Sequence, residues 1–246
     1  MSTVNKRVAL VTGGSRGIGA AIVRRLAADG MAVAFTYVKS AEKAQQLVSE
    51  LEQKGSQVLA IQADVASAAD MVAATEKAAA HFGTIHVLVN NAGVAVSKPY
   101  ADYTQEDYNY IMTVNVQAPF FTTQAVLKQM PDGGRIINIG SCLADRVPGA
   151  GITLYAMSKS ALTAYTKGLA RDLGPRNITV NLVQPGSTDT DMNPADGPAA
   201  DFQRNQMAIP RYGKGADIAS LVAWVASEES GFVNGAALTI DGGGNA

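Results

Sequence analysis

Apolar and polar positions follow two rhythms along this chain. Short runs rich in valine, isoleucine and alanine recur as candidate buried strands. Between them, apolar residues fall at the three- and four-residue spacing of helices packed by one face. The first run, Arg7–Val11, leads through glycines into a helix with Ile18, Ile22, Val23 and Leu26 on one side, ended by Gly30. A second strand is predicted at Ala32–Val38, and a helix carrying Leu47, Val48 and Leu51 stops at Gly55. Val58, Leu59 and Ile61 mark the third strand and Ile85–Val89 the fourth. Ser67 with Asp70 reads as a capping box for the intervening helix, which ends at His81–Gly83.

The second half repeats the pattern with longer pieces. Thr104 with Asp107 caps a long helix in which Pro119 predicts a kink, and Arg135–Ile139 reads as a strand buried on both faces. A loop from Ser141 to Gly151 precedes a helix over about Leu154–Leu173, stopped by Gly174-Pro175. Ile178–Val183 and Ala236–Ile240 are the last strands. The alternation predicts an α/β fold: a Rossmann-like doubly wound parallel sheet of about seven strands with helices on both faces. Ligands of such sheets bind outside the carboxyl ends of the strands. Gly186–Pro210 is too long for an ordinary connection and is expected to be a mobile flap beside the site.

Composition narrows the function. At 246 residues with no Pro/Ser-rich linker, one domain over residues 1–246 is expected. Twenty basic residues against twenty-one acidic ones leave no electrostatic footprint for nucleic acid or an anionic membrane. One cysteine and two histidines supply neither an internal disulfide nor a zinc site, so no metal is expected. No apolar run is long enough for a membrane span, and Met1–Arg7 is polar without an apolar signal region, so the expected location is cytoplasmic.

The chemistry concentrates after the strands. The first strand ends in Thr12-Gly13-Gly14-Ser15-Arg16-Gly17-Ile18-Gly19, where glycines let the backbone approach a pyrophosphate at a helix N-terminus. The same segment matches the nucleophile elbow of α/β-hydrolases. That triad needs a histidine late in the chain, however, and the two here are His81 and His86. Tyr155 and Lys159 stand one helical turn apart, and Ser141 follows a buried strand from which its hydroxyl can meet the Tyr155 phenol. A lysine ammonium beside the phenol, with the positive ring of a bound cofactor, is expected to favour the phenolate. Cys142 reads as a small apolar filler, and Asp189, Asp191 and Asp196 as solvating groups of the flap. The stretch Thr36–Ser40 has no carboxylate where NAD-selecting enzymes place one. Tyr37, Lys39, Ser40 and Arg16 gather there instead, a set suited to a 2′-phosphate.

Together the Gly13/Gly17/Gly19 loop, Asn90-Asn91-Ala92-Gly93, Asn115, Ser141, Tyr155-Ala156-Met157-Ser158-Lys159 and Pro185-Gly186 resemble the single-domain short-chain dehydrogenases/reductases, above all 3-oxoacyl-carrier-protein-reductase-like members. The resemblance implies an NADPH-dependent reductase of ketones or 3-oxoacyl compounds, forming a homotetramer. A nucleotide-binding regulator on the same fold is the alternative. It implies that Tyr155 protonates the carbonyl oxygen, Ser141 holds that oxygen, and Lys159 binds the nicotinamide ribose and lowers the Tyr155 pKa. Asn115 would hold a water leading to Lys159. Gly13, Ser15, Arg16, Gly17, Ile18 and Gly19 would cradle the NADP(H) pyrophosphate. Asp64 and Val65 would meet the adenine, Asn91, Ala92 and Gly93 the adenosine ribose, and Pro185, Gly186 and Thr188 the carboxamide.

Overall fold

The computed structural model describes residues 6–246, so most of the polar Met1–Arg7 entry lies outside the described residues. Seven strands form one parallel sheet: β1 (Val8–Val11), β2 (Ala32–Tyr37), β3 (Val58–Gln62), β4 (Val87–Asn90), β5 (Arg135–Ile139), β6 (Thr179–Pro185) and β7 (Ala237–Ile240). Their order is β3-β2-β1-β4-β5-β6-β7, every pair parallel. The direction of winding reverses between β1 and β4, which opens a crevice at the carboxyl edge.

Strand side chains alternate between two cores. Ala9 and Val11 of β1 join the core made with α1 (Gly17–Ala28), α2 (Ala41–Glu52) and α8 (Gly215–Ala226), where Ile22, Leu26, Leu47 and Val222 are buried. Val8 and Leu10 join the opposite core with α3 (Ala68–Phe82), α5 (Ala118–Leu127) and α6 (Thr153–Leu173). This two-sided burial explains why the strands read as continuous apolar runs. Helix α8 begins where the Lys214 N–H donates to Asp217 at 2.8 Å, and buries Ile218, Val222 and Val225.

Two local expectations change. At Ser67 only half of the capping box forms: its hydroxyl accepts from the Asp70 N–H, while the Asp70 carboxylate turns to the Asp64 N–H. Thr104 and Asp107 make the full reciprocal box that starts α4 (Gln105–Met112). The long helix is interrupted by a π-helical turn at Thr113–Gln117 rather than simply bent at Pro119. There the Ala118 N–H reaches back five residues to the Thr113 carbonyl, and Pro119, lacking an N–H, stands in the first turn of α5. Gly186–Pro210 contains a short helix, α7 (Ala200–Asn205), and a tight backbone bridge between Thr190 and Asn193. Among the described residues no helix is long and apolar enough to cross a membrane.

Candidate active site

Along the carboxyl edge of the sheet runs a cleft of about 1130 Å³. It is lined after β1 by Gly13, Ser15, Arg16, Gly17, Ile18 and Gly19, after β2 by Tyr37, Lys39 and Ser40, and after β3 by Asp64 and Val65. After β4 come Asn91, Ala92 and Gly93, after β5 Ser141, and at the end of β6 Pro185, Gly186 and Thr188. Tyr155 and Lys159 close it from α6.

The glycine loop is held by backbone and buried polar groups. Gly13 takes a φ of 64°, and its N–H donates to the Thr36 hydroxyl at 3.2 Å. At Gly19 an added Cβ would lie 2.2 Å from the Gly13 carbonyl oxygen, so only glycine lets α1 start this close to the loop. The Asn91 side chain donates to the Thr12 and Gly13 carbonyls at 2.9 and 3.1 Å, and the Thr12 hydroxyl accepts from the Asn91 and Ala92 N–H groups. Behind them Asn90 donates to Asn138 at 2.9 Å and Asn138 to Thr166 at 2.9 Å, tying β4, β5 and α6 together. Asn138 and Thr166 escape a sequence reading, because no short-range pattern links them to Asn90.

At the other end three chemical groups converge. Ser141 is buried and accepts from the Leu143 N–H at 3.2 Å, so its hydroxyl is oriented by the turn it starts. A hydrogen bond with Ser141 pulls the Tyr155 pKa down, but burial outweighs it and pushes the phenol above its ordinary value. Desolvation penalises the charged form, and the Lys159 Nζ lies 5.9 Å from the Tyr155 ring centre. Burial also lowers the Lys159 pKa to about 8. Its ammonium donates to the Ile139 carbonyl at 2.9 Å.

Asn115 does not line the cleft. Its side chain donates to the Val94 carbonyl and the Ser158 hydroxyl, each at 2.9 Å, and accepts from the Val94 N–H. It therefore fastens the loop after β4 to α6. Asp64 caps its own turn through the Ala66 N–H and also lines the cleft.

Several lining groups were not anticipated. Cys142 is half-buried and faces the cleft, its thiol pushed up to about 11 by burial and by Asp241. Gly244 and Asn245 of the C-terminal segment also line it, and Asn245 donates to the Cys142 carbonyl at 2.7 Å. Asp191 of the flap pairs with Lys43 at 2.9 Å and Arg16 at 3.4 Å instead of facing only solvent. Among the described residues no three His, Cys, Asp or Glu side chains are grouped to hold a metal.

A parallel sheet with a glycine loop after β1 and a Ser-Tyr-Lys cluster after β5 defines a dinucleotide-binding oxidoreductase architecture. The family described as Enoyl-(Acyl carrier protein) reductase matches residues 13–245. A short-chain dehydrogenase from Burkholderia cenocepacia in complex with NADP is 56% identical, covers 98% of each chain and superposes with a TM-score of 0.96. A blue fluorescent protein from a metagenomic library in complex with NADPH is 54% identical over 100% of each chain, also with a TM-score of 0.96. The cyclic-di-GMP-binding biofilm dispersal mediator protein of Escherichia coli is 44% identical over 98% of each chain. The chain belongs to the short-chain dehydrogenase/reductase family.

Proposed function

We propose that this protein is an NADPH-dependent reductase that converts a ketone or 3-oxoacyl carbonyl into a secondary alcohol. The observation that carries the reading is the meeting of Ser141, Tyr155 and Lys159 at one end of a cleft whose other end is a glycine loop flanked by Arg16 and Lys39. The cleft fits the cofactor: the close approach at Gly19 leaves backbone N–H groups at the mouth of α1 for a pyrophosphate. Bound there, NADPH supplies the hydride. Tyr155, kept protonated by burial, gives its proton to the carbonyl oxygen while the Ser141 hydroxyl donates a hydrogen bond to it. Lys159, charged below pH about 8, stabilises the phenolate that results and holds the ribose hydroxyls. Asn115 positions the loop after β4 against α6, and would hold a water leading to Lys159.

The substrate end is built from Val94, Ile152, Met192, Phe202 and Met207, which suits bulky apolar groups beside the carbonyl. Loss of NADPH absorbance with a panel of such ketones tests the reading, and no turnover of any of them would overturn it. The name of the Escherichia coli relative favours a second reading, nucleotide sensing in the same cleft. Calorimetry with cyclic-di-GMP in competition with NADPH separates the two. A homotetramer in the cytoplasm completes the proposal. The oligomer is supported by β7, which has a neighbour on one side only, and by the fully exposed Phe232.

A further inference from the structure

Three cations surround the corner of the cleft where β2 ends. Arg16 stands at the N-terminus of α1, Lys39 in the turn after β2, and Lys43 in the first turn of α2, where it reaches the cleft-lining Asp191. The flap carries a carboxylate into this group. Asp191 accepts from the Lys43 ammonium at 2.9 Å and from the Arg16 guanidinium at 3.4 Å. The flap backbone holds it there: the Asn193 N–H donates to the Thr190 carbonyl at 3.1 Å and to the Thr190 hydroxyl at 3.2 Å, closing a tight turn around residue 191. The Thr190 methyl also packs toward Gly17 of the glycine loop. Both cations hold the Asp191 carboxyl below its ordinary range.

We infer that Lys43 and Asp191 set cofactor selectivity: Lys43 as a further cation for the ribose 2′-phosphate, and Asp191 as a built-in competitor that the phosphate displaces. The inference rests on the reading of the cleft as an NADP(H) site. A carboxylate and a phosphate ask for the same guanidinium fork and ammonium, and side by side they repel. A 2′-hydroxyl makes no such demand, so a non-phosphorylated ribose leaves both Asp191 pairs intact. The phosphorylated cofactor therefore also releases a tether between the flap and the glycine loop. All three side chains are about half exposed, at 50% for Arg16, 53% for Asp191 and 55% for Lys43. Water screens such pairs, so Asp191 trims the preference by no more than about fivefold instead of abolishing it.

The test is calorimetry without ketone, using 2′,5′-ADP and 5′-AMP, which differ only in the 2′-phosphate. The ratio of the 5′-AMP Kd to the 2′,5′-ADP Kd should rise about three- to fivefold in Asp191→Asn. It should fall about fivefold in Lys43→Ala and return in Lys43→Arg. Both shifts should at least halve in about 0.5 M salt, an electrostatic signature that a misfolded corner would not give. An unchanged or lower ratio in Asp191→Asn, or a Lys43→Ala ratio equal to wild type, overturns the inference while leaving the reductase reading intact. Wild-type protein that binds both nucleotides equally overturns the inference and the NADP(H) assignment together, whatever the ketone assays show.

Discussion

The two ends of the cleft are built on different principles. Beneath β1 and β4 the walls are backbone and buried polar groups, with Thr12 and Asn90 almost inaccessible and Gly13 and Gly19 set close against Ala92, Asn91 and the loop's own backbone. Between α6, the flap and the C-terminal segment the walls are side chains, and Met192 and Phe202 are half exposed. A backbone wall recognises what every dinucleotide shares, because no side chain can be exchanged without moving the chain itself. A side-chain wall can be rebuilt residue by residue at little structural cost. The candidate catalytic cluster sits on the seam, its hydroxyl just after β5 and its phenol and ammonium on α6.

The largest expected effect tests that seam. Tyr155→Phe keeps the ring but removes the proton donor, and should lower reduction about 10³- to 10⁴-fold with the NADPH Kd nearly unchanged. Loss of NADPH binding in parallel would show that the two ends are one unit. Ser141→Ala removes one donor to the developing oxyanion, and single-turnover rates should fall about 10²- to 10³-fold.

Next comes the backbone wall. Gly19→Ala would place a methyl 2.2 Å from the Gly13 oxygen and 2.6 Å from the Asn91 amide. Thermal melts should show a loss of about 1–3 kcal/mol, and titration a weakened NADPH complex. Wild-type stability and affinity together would refute the rigid wall.

The pH dependence is opposite in activity and stability. Reduction should fall roughly tenfold per unit above pH about 8 as Lys159 loses its charge. Its folded pKa of about 8 lies below the ordinary 10.5, so the unfolded chain binds more protons between those values. The Lys159 contribution to stability therefore rises with pH across that window. A stopped-flow pH profile beside denaturant melts, repeated on Lys159→Met, checks both signs.

The smallest effect belongs to the side-chain wall. Phe202 rests beside Gly149, its ring 3.7 Å from where a Cβ would stand, and Phe202→Ala should raise the KM of a bulky ketone about fivefold. The melting temperature should stay within about 2 °C, as for other exposed positions. A large destabilisation would erase the contrast between the two walls.

Much of this was legible locally. Apolar periodicity carries the strand and helix order, since burying both faces of a parallel sheet demands continuous apolar strands and one-sided helices. The glycine spacing, Ser141 after β5 and the one-turn step from Tyr155 to Lys159 are likewise short-range features. The π turn was less legible: Pro119 announces a break, but the five-residue hydrogen bond that makes it lies upstream.

What sequence alone determined is thus the set of elements, the edge at which they gather chemistry and the residues offered there. Tertiary structure decided what those residues do to one another. Asp191 and Arg16 are 175 positions apart, and Asn245 and Cys142 are 103, so no local pattern encodes either contact. The direction in which the Tyr155 pKa moves belongs to the same class. A lysine four residues away argues for a lowered phenol pKa, yet burial by the surrounding elements outweighs the hydrogen bond with Ser141 and pushes the phenol above its ordinary value. Spacing along a helix records who is near, whereas burial is set by every segment that packs around the site.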